Sequence, residues 1–270
     1  MNKSILLIIV VFAATLVGVV IGAPDAATAS LVTVLGAGVA LSLFRHFTDD
    51  KQFITQVFLA ALTVRIGFGF IIHFVDLREF FGGDANTYDF VGNRLMEIWS
   101  GRAVVDDFFS RRAMSTTGAG WGMNYFVGAI YVVLGRNILA AQSICGVVGA
   151  ATAPMVYICA KRIFQNIRVA KYSALFIALF PSFIIWSSQL MKDGLVIFLL
   201  VLAMTMVLQL QERLSYPAIA ILVLSLFGIM SLSFYIFYMV AAAVGGSFLI
   251  GTTNSLRSIL GRSAALVIIG

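Results

Sequence analysis

Residues 122–135, GMNYFVGAIYVVLG, decide how this chain is laid out. The run is apolar, yet it reaches only about two-thirds of the roughly 20 residues that cross the hydrocarbon core of a bilayer. It reads as a helix lying along or dipping into the interface. If it crossed, every later turn of the chain would change side, so the sidedness of the molecule hangs on these residues.

The chain around it is a membrane protein. Of its 270 residues, 61% are hydrophobic and 11% charged, and mean hydropathy is +1.02. Soluble domains carry about 25% charged residues. Apolar runs of spanning length recur along the sequence, which predicts an all-α fold: a polytopic transmembrane helical bundle. The alternation of apolar and polar residues that marks a membrane β-barrel is missing. A net charge of +6 does not point to nucleic acid, because the basic residues are spread over short turns between apolar runs instead of forming one patch. Cys145 and Cys159 fall in one predicted helix, roughly 20 Å apart at the α-helical rise, beyond disulfide reach.

Working outward, residues 1–75 hold three predicted spans: 5–22, a shorter one at 30–44, and 52–75. The first follows Asn2-Lys3 and exceeds the 7–15 apolar residues of a signal-peptide core, which favours a retained helix. Residues 76–136 form a long external loop carrying amphipathic interfacial helices. Residues 137–270 hold spans at 138–160, 172–190, 194–211, 215–230 and 234–250, and a last apolar run at 263–270 too short to cross, so that either the chain is expected to be a fragment or its last helix to be incomplete. All three parts make a single transmembrane domain.

Orientation follows from the turns. With a cytoplasmic N-terminus, the cytoplasmic side collects Lys3, Arg45, Lys51, Lys161, Arg162, Arg168, Lys171, Arg213, Arg257 and Arg262, while short external turns hold only Lys192. This is the charge bias of a multi-pass plasma (inner) membrane protein. The polar interval 76–120 and the pair Lys192-Asp193 then share the external face.

That interval is where chemistry is expected, since ionisable groups are cheaper to keep beside a bilayer than inside it. Seven of the twelve acidic residues lie there: Asp76, Glu79, Asp84, Asp89, Glu97, Asp106 and Asp107. Asp84 follows Gly82-Gly83 and opens an amphipathic segment whose apolar side carries Val91, Leu95, Ile98 and Trp99. As a purely structural residue it would be a helix N-cap. As a functional one it is a base or metal ligand, with Tyr88 one turn away on the same face. Lys192 is either a snorkelling lysine with Asp193 as counter-ion or a point-charge receptor for a lipid phosphate. Arg65, in the middle of the third span, requires a partner or a cavity that the sequence does not name. His73, near the external end of that span, reads as an ordinary interfacial residue.

In order and sidedness these features resemble the GT-C superfamily of integral-membrane glycosyltransferases, which includes protein O-mannosyltransferases and lipid A aminoarabinose transferases. The resemblance covers roughly residues 80–210. It rests on Asp84 with Tyr88 in the first large loop, and on the short helix from Asn124-Tyr125 to Gly135-Arg136-Asn137. It rests further on a span closed by Lys161-Arg162, and on Pro181 and Trp186-Ser187-Ser188 leading to Asp193. It implies transfer of a sugar from a polyprenyl-phosphate carrier to an external lipid, glycan or protein acceptor. Asp84 would be the catalytic base, or would position the acceptor, for inverting attack at the anomeric carbon, and Tyr88, Asn124 and Tyr125 would contact substrate. A divalent metal ion would be shared by Asp84 and Asp193. Lys192, from its position, would neutralise the leaving phosphate. A surface-polysaccharide polymerase would use the same class of donor but retain growing glycan chains. A non-enzymatic transporter or scaffold subunit is the other alternative, although no internal repeat of the kind transporters show is visible.

Overall fold

The computed structural model describes residues 24–250 apart from 82, 106–107 and 117–119. The span expected at 5–22 and the short apolar run at 263–270 lie outside the described residues. Among the described residues there are helices and no strands.

Helix α1 (Pro24–His46) and α2 (Lys51–Phe74) are joined by a short turn in which Asp50 caps α2, its carboxylate accepting from the Phe53 amide at 3.3 Å. Two helices then fill most of the described polar interval, α3 (Asp84–Trp99) and the short α4 (Phe108–Ala113), followed by α5 (Trp121–Leu134). Where the sequence suggested a long external loop carrying interfacial helices, the described residues show these three helices, and no long external loop is seen among them. Helix α6 (Ile138–Phe164) is the axle of the bundle, with α1, α2 and the later α7 and α9 packed around it. Its sequence explains this position: Ala140, Ala141, Gly146, Gly149, Ala150, Ala151 and Ala153 are small and buried. Small residues let neighbouring backbones approach closely where lipid supplies no hydrophobic drive between helices. A Cβ on Gly149 would stand 2.6 Å from the Ser187 Cβ.

Helix α7 (Ile167–Leu179) starts on Asn166, whose side chain accepts from the amides of Arg168 and Val169. It does not continue to residue 190 as expected. The chain breaks at Phe180, and α8 (Pro181–Ser187) leaves at 56° to α7. Proline supplies no N–H to the turn before it and its ring crowds that turn, so a helix ends there and a new one begins. Buried residues 188–191 then lead into α9 (Asp193–Glu212), followed by α10 (Tyr216–Leu232) and α11 (Phe234–Ile250), with Ser233 between the last two. Helices α1, α2, α6 and α9 are long and apolar enough to cross a membrane, and α7 with α8 makes a fifth if the bent pair is one span. Helices α5, α10 and α11 are apolar but shorter.

Ion pairs tie the turns at one end together: Lys161 with Asp49 (3.7 Å), Lys171 with Asp50 (2.7 Å) and Arg162 with Glu212 (3.6 Å). At the opposite end, Asn137 donates to the Asp25 carbonyl at 3.0 Å and Arg136 pairs with Asp89 at 2.6 Å. Helix α5 begins beside Leu232 and Lys192 and finishes two residues before Arg136, so both of its ends lie at this second end of the bundle. It lies across the end and does not pass through, as its length suggested. The basic residues Arg45, Lys51, Lys161, Arg162, Arg168, Lys171 and Arg213 all gather at the first end, and Asp84, Lys192 and Asp193 at the second.

Candidate functional site

Four chain segments meet at the second end of the bundle: the first turn of α3, the turn into α5, the start of α9 and the end of α10. Helix α3 is held there by its fit to α5. A Cβ on Gly92 would come within 2.4 Å of Val127, and one on Gly128 within 3.1 Å of both Leu95 and Trp99. These two glycines let the helices interlock and fix the direction in which the first turn of α3 points.

In that turn Asp84 is exposed and Tyr88 is buried. Asp84 does not cap the helix; Gly83 holds the cap position without a side-chain bond, and Asp84 sits in the first turn, where a negative charge meets the positive end of the helix dipole. Gly120 begins α5 with φ +75°, a left-handed conformation that glycine adopts without steric cost. A Cβ placed on Gly120 would lie 3.6 Å from each of the Tyr88 hydroxyl, the Lys192 Nζ and the Leu232 carbonyl oxygen. The ammonium and the phenol, 104 positions apart in sequence, are therefore no farther from each other than twice that distance. Lys192 and Asp193, both half-buried, begin α9.

The electrostatics link both carboxylates to this point. Burial, then Asp84, then Asp193 push the Tyr88 phenol from its ordinary value near 10 up to about 12. At neutral pH it keeps its proton and is a hydrogen-bond donor. Asp84 and Asp193, brought from opposite halves of the chain, both bear on one hydroxyl. Among the described residues no three His, Cys, Asp or Glu side chains gather as a metal site would require.

The remaining sequence candidates separate. Asn124 stands one turn beyond Gly120, and its Oδ1 is buried without a hydrogen-bond partner. Tyr125 is taken up elsewhere. Its hydroxyl donates to the Met114 carbonyl at 2.8 Å, and its ring packs against Trp99 and Trp121. It joins α5 to the chain before it.

One polar construction escaped the sequence, and of a second the sequence told only that Arg65 would need a partner. The first is a network at the same end, built on Asp89. Its Oδ1 accepts from the Tyr131 hydroxyl (2.6 Å) and more weakly from Arg136 Nε (3.4 Å), and its Oδ2 accepts from Arg136 Nη2 (2.6 Å). Burial and the bond to Asp89 push the Tyr131 phenol far above its usual range. Arg78, which contacts His73, lies close enough for Asp89 to act on its charge. Spacing gave no hint that residues 89, 131 and 136 meet.

The second is Arg65. It is fully buried, and its partners are the Ser187 hydroxyl (Nε, 2.8 Å), the carbonyls of Ala61 (3.1 Å) and Ala178 (2.9 Å) from Nη1, and that of Ile177 (3.3 Å) from Nη2. The Phe183 ring lies 4.8 Å from its guanidinium carbon. Ile177 is the residue whose carbonyl Pro181 would have satisfied had it carried an N–H. The arginine replaces the donors that the helix break removes.

Comparison with protein-family models, curated proteins and solved structures finds no match to this chain.

Proposed function

We propose that the protein is a membrane glycosyltransferase that takes a sugar from a polyprenyl-phosphate carrier and passes it to an acceptor at the end of the bundle where α3, α5 and α9 meet. The observation that carries this reading is the convergence of Lys192 Nζ and the Tyr88 hydroxyl on Gly120, with Asp84 and Asp193 both acting on that hydroxyl. A donor with a phosphate ester and an acceptor hydroxyl needs a cation for the first and a base for the second. Asp84, exposed and at the first turn of α3, takes the proton from the acceptor hydroxyl. The acceptor oxygen attacks the anomeric carbon as the bond from that carbon to the phosphate oxygen breaks. Lys192 then neutralises the charge growing on the departing phosphate. The Tyr88 phenol, held protonated, donates to the phosphate or to the acceptor. A divalent ion held by Asp84 and Asp193 would add charge neutralisation at the phosphate. With this polarity the basic end of the bundle faces the cytoplasm and the site faces outward.

The test is transfer from a polyprenyl-phosphate sugar in proteoliposomes. Asp84→Asn should abolish it while leaving the protein folded; unchanged transfer rejects the assignment. Product length distinguishes single transfer from polymerisation.

A second reading, transport, is favoured by the broken span α7–α8, since discontinuous helices line many transporter sites. Against it, the carbonyls freed at the break are already bonded to Arg65, leaving less for a transported ion to use. Uptake of solute into liposomes with no chemical change would support transport instead.

A further inference from the structure

At the end of the bundle opposite the candidate site, α1 and the start of α2 border an open groove of about 680 Å³. Its lining includes Gly38, Ser42, Leu43, Arg45, His46 and Lys51. The floor is made of small residues: nothing lies within 4 Å of a Cβ placed on Gly38, and Ser42 follows one turn later. Leu43 and Phe47 stand exposed beside it, and the outward side of α1 continues the apolar surface through Val39 and Leu35.

The charges around this groove are sorted. The acids of the intervening turn lie toward the neighbouring turn: Asp49, fully exposed, stands 3.7 Å from Lys161, and Asp50 pairs with Lys171 at 2.7 Å while capping α2. Among the described residues neither Arg45 nor Lys51 has an ion-pair partner. Two exposed cations and an imidazole thus rim a notch, with a continuous apolar wall running from it along the membrane-crossing length of α1.

We propose that this groove is a binding site for an anionic phospholipid. The headgroup phosphate is held by Arg45 and Lys51, and an acyl chain lies over Gly38 and along Val39 and Leu35. The apolar wall selects a lipid over a free phosphate, because an inorganic anion would use only the rim. Basic pockets of this kind at helix ends take acidic headgroups, and the apolar strip below supplies the area that a soluble anion lacks. The site stands independently of the enzymatic reading, since it lies at the other end of the bundle.

The experiment uses the full chain in nanodiscs with photoactivatable phosphatidylglycerol or phosphatidylcholine, followed by peptide mapping of the adducts. The expected result is labelling within residues 38–51 by the anionic lipid well above the zwitterionic one. Arg45→Gln with Lys51→Gln should lower it by roughly 30-fold, at about 1 kcal/mol for each basic residue near a charged bilayer. Arg168→Gln, at the same end but outside the groove, should leave it unchanged, as should inorganic phosphate added in excess. Both substituted groove residues are exposed, and a thermal melt checks that the fold survives. Equal labelling by the two lipids overturns the proposal. So does undiminished labelling of the double variant, loss of labelling to inorganic phosphate, or adducts falling wholly outside 38–51, which would mean another part of the protein fills the groove.

Discussion

Arg65 donates a 2.9 Å hydrogen bond to the carbonyl of Ala178, joining the middle of α2 to the last turn of α7 across 113 positions of sequence. With the bond to Ile177, it compensates for the break at Pro181, and the negative end of the α7 dipole faces the guanidinium. A buried cation in a helix long and apolar enough to span is thereby balanced by backbone carbonyls, a hydroxyl and a ring face.

Arg65→Gln should destabilise the protein strongly, by about 1–3 kcal/mol for each buried acceptor left without a donor. Pro181→Ala restores an N–H that can reach Ile177 if α7 straightens into α8. The cost of Arg65→Gln should therefore be smaller in a Pro181→Ala background. Thermal or denaturant unfolding of the four species in detergent measures the coupling. Strictly additive effects would mean that the arginine does not act through the break.

Much of this bundle was legible because spanning runs need only length and apolarity to be seen. The ends of α2, α6 and α9 fall within a few residues of the predicted ones, and Gly122 to Gly135 announced its own shortness. The bend at Phe180 could have been read from Pro181, but an apolar run on both sides hides it. In the candidate site, Asp84, Tyr88, Lys192 and Asp193 stood out as charged or polar groups at helix boundaries. Gly120 did not, since a glycine whose importance is its left-handed φ and its position among three polar atoms looks like any turn glycine in sequence. The Asp89–Tyr131–Arg136 network was invisible for a related reason. It depends on α5 folding back across α3, and that register is set by Gly92 and Gly128 accepting their neighbours' side chains.

The Tyr88 titration tests the convergence without any substrate. Its pKa of about 12 comes first from burial and then from Asp84 and Asp193. Asp84→Asn and Asp193→Asn should each bring the phenol part of the way back toward 10, and the double variant further, with burial holding it above 10. Phenolate absorbance, with Tyr88→Phe subtracted, reads the shift. The sign for stability follows from a raised folded-state pKa. The stabilisation is fully present below pH 10, where the phenol is protonated in both states, and is lost as pH climbs through about 12. A Tyr88 titration that ignores both substitutions would place the carboxylates elsewhere.

Gly122 should be intolerant of any side chain. A Cβ there would sit 2.3 Å from the Ser231 hydroxyl and 3.0 Å from the Ser231 carbonyl carbon, so Gly122→Ala forces α5 away from the end of α10. An overpacking cost of about 1–3 kcal/mol is expected, together with loss of any activity that depends on Lys192 and Tyr88 both bordering Gly120. Ser231→Gly removes the hydroxyl side of the clash and should recover part of the stability. No recovery would show that the backbone alone sets the limit.

Within the Asp89 network the acid should matter more than the base it pairs with. The Asp89 side chain is 13% exposed and that of Arg136 is 54% exposed, so the ion pair itself is worth little in the screening of nearby water. Removing Arg136 leaves Asp89 still bonded to Tyr131 and free to take water. Removing Asp89 leaves the Tyr131 hydroxyl, on a residue 1% exposed, with its recorded acceptor gone. Asp89→Ala should therefore cost about 1–3 kcal/mol, and Arg136→Ala less than about 1 kcal/mol. In a Tyr131→Phe background the cost of Asp89→Ala should shrink, because the orphaned donor is then absent. Melting temperatures in detergent at low and high salt separate the contributions: the Arg136 effect should fade with salt and the Asp89 effect should persist. An Arg136→Ala penalty as large as that of Asp89→Ala, and insensitive to salt, would mean that the ion pair and not the phenol bond holds α3 against α5.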